Sequence, residues 1–312
     1  MEADPLMRWM LFNTAVLHAG FALCLGALTS MLWTREAGCR WAREVYGDSR
    51  ALLKAAAALS LVAAVIGLWL QSAMMAEVPL MEALPAMVAM TRTTHYGHAG
   101  AAGIAALLLV WGAAVWLGRA ATSTAFGLAL LGLAVFAYTR SIDSHAGAHG
   151  DVSAAVAIDW LHLVLACWWA GIVFVGTWVL RRPAQLALDR LATAFWIARL
   201  STAATFALAG IVATGLWNVW RGTEGMLGQV VGSAYGNALF IKVGLVLVAA
   251  CLGAFNRFRV LPSLLDSLRA ASAGRTEGQA TFCRALRIES FVLAGVLIAA
   301  AFLSSRPALG AT

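Results

Sequence analysis

Apolar residues along this chain run in unbroken blocks, unlike the alternation of a half-buried strand or the one-sided stripe of a surface helix. Eight blocks can be drawn, at about 9–33, 51–74, 96–117, 121–139, 157–180, 200–220, 237–255 and 288–304. Each comes close to the roughly 20 residues that a helix needs to cross a hydrocarbon core of about 30 Å at 1.5 Å per residue. Backbone amides in lipid must be satisfied internally, so blocks of this kind predict helices. The expected fold is all-α: a polytopic membrane bundle of eight transmembrane helices, forming one integral-membrane domain over residues 1–312. The first block follows MEADPLMR, where Glu2 and Asp4 replace the basic region of a signal peptide, and it is too long for a signal-peptide core. It is expected to stay as the first membrane helix.

Composition agrees with the pattern. Of the 312 residues 62% are hydrophobic and 12% charged, and mean hydropathy is +0.81, which excludes a soluble globular class. The net charge of +7 does not suggest a nucleic-acid partner, because the basic residues fall in short loops between apolar blocks. Membrane lipid is the expected surrounding. The loops alternate in charge. Arg35, Arg40, Arg43, Arg50, Lys54, Arg119, Arg181, Arg182, Arg190, Arg199, Arg257, Arg259, Arg269, Arg275, Arg284 and Arg287 lie on one side, against Arg8, Arg92, Arg140, Arg221 and Arg306 on the other. Sixteen against five puts the first side in the cytoplasm and both termini outside it, in the periplasm of a bacterial cell. Glu2, Asp4, Glu77, Glu82, Asp143, Asp151 and Glu224 fall on the outer side. No GxxxxGK[ST] sequence is present, and with Lys54 and Lys242 the only lysines there is no DKTG motif, so an ATP-driven pump within this polypeptide is excluded. The five cysteines show no CxxC spacing and suggest neither a disulfide framework nor a zinc site.

Once a topology is drawn, the histidines acquire positions. His95 and His98 open the third span from outside, His145 and His149 lie in the outer loop SIDSHAGAHGD, His162 sits about one turn into the fifth span, and His18 is midway down the first. Five of the six therefore gather at the outer face. His95 and His98 are i, i+3 and His145 and His149 are i, i+4, so on a helix each pair would share a face. Imidazole alone does not name a metal. Met74, Met75, Met81, Met87 and Met90 crowd the outer end of the second span and the loop after it, and thioether sulfur favours copper over zinc or magnesium. Plainer readings stand beside these. An interfacial histidine is often only a hydrogen-bonding group, and apolar methionines more often fill gaps. Asp159, three residues before His162, either orients that imidazole or is an acid placed by the helix dipole. Lys242, about five residues into the seventh span, either snorkels to the headgroups or gates an ion path. Cys24, Cys167 and Cys251 are the soft ligands deeper in the spans, Cys167 the best placed, and each is equally a small packing residue.

The segment from Arg199 to Leu264 reads RLS, then TGLWN, SAYGN, a membrane lysine at Lys242, and NRFRVLPSLL. It resembles the CopD copper-resistance family of bacterial inner-membrane proteins, over a region of about 195–305. Upstream, DWLHLVLACWWAG (Asp159 to Gly171), THYGHA (Thr94 to Ala99) and SHA (Ser144 to Ala146) resemble further family segments. Leu200, Ser233 and Ala170 depart from the pattern, where Phe, Thr and Gly are usual. The resemblance implies copper handling at the inner membrane, commonly import from periplasm to cytoplasm with a periplasmic CopC-like copper-binding protein, which here would be a separate chain. It carries over His95, His145 and His162 as copper contacts and Asn256 as a motif residue beside Asp159 and Lys242. His98, His149 and Met81 come from the topology argument.

The leading expectation is a carrier of copper ions, Cu(I) or Cu(II), and not an enzyme: an outer His and Met vestibule that hands copper inward without nucleotide. A membrane b-type haem protein, with His18 paired to His95 or His162, is one alternative. A non-transporting accessory that delivers copper to a cuproenzyme is another.

Overall fold

All eight apolar blocks are helical in the computed structural model, which describes residues 5–181, 187–222, 234–269 and 277–304, and no strand occurs among the described residues. The helices are α1 (Pro5–Thr34), α2 (Arg40–Ala76), α3 (Leu84–Thr93), α4 (His95–Trp116), α5 (Ser123–Ile142), α6 (Ala154–Val179), α7 (Ala187–Gly222), α8 (Ala234–Phe255), α9 (Leu261–Arg269) and α10 (Glu277–Ser304). Eight stretches among the described residues are long and apolar enough to cross a membrane. The seventh runs from α8 through a π-helical turn at Asn256–Val260 into α9. Ser233 of the SAYGN motif, and Glu2, Asp4, Arg182, Glu224, Arg275 and Arg306 of the charge pattern, lie outside the described residues.

Helix limits differ from block limits where helices outrun the apolar stretch. Polar residues end a hydrocarbon crossing but not a helix. Thus α2 begins at Arg40, where Arg40 Nε donates to Glu44 Oε1 at 2.8 Å one turn on. The start of α2 also takes a cap from α7: the Trp41 amide donates to Asp189 Oδ1 at 3.0 Å, and Asp189 is buried there, an acid at a helix N-terminus. The short helix α3 was not legible as a block, because it is brief and only partly apolar. It ends where the Thr94 hydroxyl accepts from the Gly97 amide and caps α4. A side chain at Gly97 would strike the Met90 carbonyl, so the sharp α3–α4 corner requires glycine.

The bundle is organised about α1, which packs against α2, α5, α6, α7 and α10. Its crossing with α6 is backbone on backbone: a Cβ on Gly26 would meet Gly171, and a Cβ on Gly171 would meet the Ala22 carbonyl. Small residues allow this approach, and the close contact supplies by dispersion the attraction that the hydrophobic effect does not provide between apolar helices in lipid. Buried polar groups are paired across the same region. Ser49 Oγ donates to Ser30 Oγ at 3.0 Å, Trp196 Nε1 donates to Ser30 Oγ at 3.3 Å, and Trp168 Nε1 donates to Thr29 Oγ1 at 3.0 Å. Among the described residues a large apolar core runs from α1 to α10, and Ala146, Ala155 and Val156 form a small separate cluster.

Candidate functional site

At the end of the bundle where α4, α5 and α6 meet, His95, the first residue of α4, turns to the loop between α5 and α6. Its Nε2 lies 2.9 Å from Asp151 Oδ2. Tyr138 Oη donates to the Asp151 carbonyl at 3.0 Å and fixes that loop from α5. Asp143, just past α5, is in electrostatic reach of His95, Asp151 and Arg140, and its Oδ1 is buried without a partner. Burial pushes the Asp143 carboxyl up to about 6, against a smaller opposing pull from Arg140. One imidazole and two carboxylates thus share this mouth. Beside it a crevice between α1, α2, α4 and α5 is edged by Asn13, Tyr96, Thr139, Arg140 and Asp143.

The other outer histidines take separate places. His98 Nε2 lies 3.2 Å from the Arg92 carbonyl, so it ties α4 back to α3 and does not share an ion with His95 through their i, i+3 spacing. His145 is exposed, at the start of a 3₁₀ turn, His145–His149. The loop thus winds as a 3₁₀ turn and not as the α-helix that the i, i+4 spacing presumes. The side chain of His149 lies outside the described residues. Met81 stands out from a 3₁₀ turn at Leu80–Glu82, 84% exposed, whereas Met90 is buried, so these two methionines share no common surface. Among the described residues no three of His, Cys, Asp and Glu come close enough to hold a metal ion together.

Below this mouth, His162 is the best-formed ligand. Its Nδ1 lies 2.9 Å from Thr214 Oγ1 on α7, while Thr214 Oγ1 donates at 2.6 Å to the Gly210 carbonyl. With its own proton directed at Gly210, the hydroxyl accepts from Nδ1–H. That fixes the imidazole tautomer with the Nε2 lone pair available. A methyl at Gly215 would stand 3.3 Å from His162 Cε1, so Thr214 and Gly215 together shape the socket for this ring. The TGL motif is explained by that. The orienting partner expected of Asp159 is therefore Thr214. Asp159 itself accepts from Ser144 Oγ at 3.2 Å.

Further in, Lys242 of α8 is half-buried, in electrostatic reach of Asp159, His162 and Cys167 on α6 and of His18 on α1. Its charge is thus felt by the polar residues of the bundle interior. His18 Nδ1 is buried without a partner, and Cys167 is fully enclosed. The haem alternative finds no support here, since His95 turns to Asp151 and His162 to Thr214.

Two residues complete the line. Glu289 of α10 is buried and accepts from Trp169 Nε1 of α6 at 3.3 Å, and Asn256 is buried with neither amide atom partnered. Arg257, beside it, donates from Nη1 to Ser201 Oγ at 3.0 Å, joining the NRF and RLS motifs. Glu289 was missed in the sequence, although an acid inside the block at 288–304 was the available signal.

Two family models match the chain: copper resistance protein D-like, N-terminal domain, over residues 3–154, and copper resistance protein D over residues 194–303. No curated protein and no solved structure matches it.

Proposed function

From a chain that belongs to the copper resistance protein D family, and is thereby a multi-pass membrane protein of copper resistance and handling, we propose an inward carrier of copper ions. Copper enters at the periplasmic mouth, where His95 stands beside the Asp143 and Asp151 carboxylates and His145 is exposed on the loop after α5, and reaches His162. From there it passes along Cys167 and His18. Both termini are periplasmic, the membrane is the bacterial inner membrane, and a CopC-like protein presents the ion at the mouth. No catalytic step is part of this reading.

The observation that carries it is the His162 socket. A ring held by Thr214 through Nδ1, with Nε2 unprotonated and polar groups continuing inward from it, is a ligand built into the bundle rather than an interfacial hydrogen bond. Imidazole binds copper in either oxidation state; a path for Cu(II) would rest mainly on the carboxylates at the mouth and one for Cu(I) on the Cys167 thiol, and the ion keeps one oxidation state throughout.

The test is total cell copper, at fixed external copper, in cells with the wild-type chain and with the His145→Ala, His162→Ala double variant at equal membrane abundance. A wild-type excess supports inward transport. Equal copper overturns it in favour of a delivery accessory, and a wild-type deficit reverses the direction.

A further inference from the structure

Glu289 has no role in the line of ligands just described. It lies nine residues along the candidate span Ala280–Ser304, about 14 Å from its start at 1.5 Å per residue. Its side chain is 3% exposed, and no ion pair reaches it among the described residues. One indole N–H, from Trp169, is its described hydrogen bond. The backbone of α8 closes over it: a methyl at Gly253 would stand 3.6 Å from Oε1. An ionised carboxylate so enclosed would carry a large desolvation penalty, and a neutral carboxyl escapes it. A metal ion is a poor substitute as counter-charge, because no further His, Cys, Asp or Glu completes a ligand set around it.

No cation on the neighbouring elements pairs with it among the described residues. The titratable side chains on α1 and α6 include His18, Cys24 and Cys167. On α8, Lys242 is in reach of Asp159, His162 and Cys167. Arg257 in the π-helical turn donates to Ser201, and Arg287 of α10 donates from Nε to the Cys283 carbonyl. The α9 acid Asp266 has an interaction of its own.

The second observation is Asn256. It follows Gly253 by three residues, on the same side of the helix, and is 5% exposed with both Oδ1 and Nδ2 unpartnered. An amide offers a donor and an acceptor, so it can hydrogen-bond a carboxyl in either protonation state. An unpartnered amide kept in the interior is costly unless some state of the protein uses it.

We propose that Glu289, with Asn256 and Trp169 around it, is a proton-binding site in the inner part of the bundle, and that it exchanges its proton as copper passes. This rests on the carrier reading above. As a copper ion moves inward, the carboxyl releases its proton to the periplasmic side, and the carboxylate serves as counter-charge until a proton returns from the cytoplasmic side. Copper and protons then move in opposite directions.

Two measurements test it. Infrared spectroscopy of the purified protein at neutral pH should show a protonated carboxyl C=O band that is lost in Glu289→Gln and shifted in Trp169→Phe, which removes the indole donor and keeps the acid. An unchanged spectrum in both variants overturns the proton site. In sealed vesicles holding a pH indicator, an imposed copper gradient should drive proton counterflow with wild type, and that counterflow should be lost with Glu289→Gln. Counterflow that persists in Glu289→Gln, or wild-type copper flux without it, overturns the exchange. Absence of wild-type copper flux counts against the carrier reading, and the infrared band then still decides the proton site.

Discussion

Where α1 crosses α6, Gly26 and Gly171 set backbone against backbone; where α6 faces α7, Thr214 and Gly215 leave room for an imidazole and supply its partner. The first region packs helix on helix and the second holds a buried imidazole. In the most apolar window of α1 61% of residues are buried, against 11% in the span that carries Lys242. A largely enclosed helix can tolerate little change of volume, whereas one open to lipid on most of its surface has mainly the face turned to α10 to specify. Polar residues inside the bundle cost little in packing terms and much in desolvation, and His162, Asp159 and Glu289 each have a hydrogen-bond partner.

The largest expected effect breaks the first region. Gly171→Leu places a side chain against the Ala22 carbonyl and should destabilise by at least the roughly 1–3 kcal/mol of an overpacked core, read as loss of thermal stability of the solubilised protein. If its melting matches wild type, the close crossing is not what holds α1 to α6. Next, His162→Ala should leave melting near wild type while copper flux falls by at least about tenfold, or about 1.4 kcal/mol. Thr214→Val should share part of that loss through the wrong tautomer, and Thr214→Ser should restore it; equal flux in all three would separate the socket from transport.

Asp143 sharpens the contrast through pH. Its carboxyl is raised by burial to about 6, so the folded state favours the neutral form. Its stabilising contribution is complete below the unfolded value near 3.8 and is lost as pH rises through about 6. Asp143→Asn should therefore flatten that fall: relative to wild type, the variant gains melting temperature between pH 4 and pH 7. A wild-type difference that is constant across this range would contradict the burial of the carboxyl. The smallest effect is expected at Met81. Being 84% exposed, it should change copper binding by about twofold or less when replaced by Ala, as measured by competition with a copper chelator.

Much of this was legible in residue order. The eight helices could be drawn because block length against bilayer thickness is a one-dimensional criterion, and the RLS, TGL and NRF segments marked the region that matches the family. His162 and Lys242 could be singled out because ionisable groups inside apolar blocks are costly. The pairing of histidines by spacing could not be settled, since spacing presumes a helix. The loop winds as a 3₁₀ turn at His145–His149, and His95 and His98 each find a different partner.

By itself the sequence determined that this protein has eight stretches long and apolar enough to cross a membrane, and which of its residues are chemically expensive to place there, because hydrophobic burial in lipid is read locally along the chain. Only the tertiary structure decided who meets whom: Thr214 with His162, Asp151 with His95, Trp169 with Glu289, across separations of 52, 56 and 120 residues. Hydrogen bonds are directional and short, and helix crossings set by glycines far away in the chain fix which side chains come within their reach.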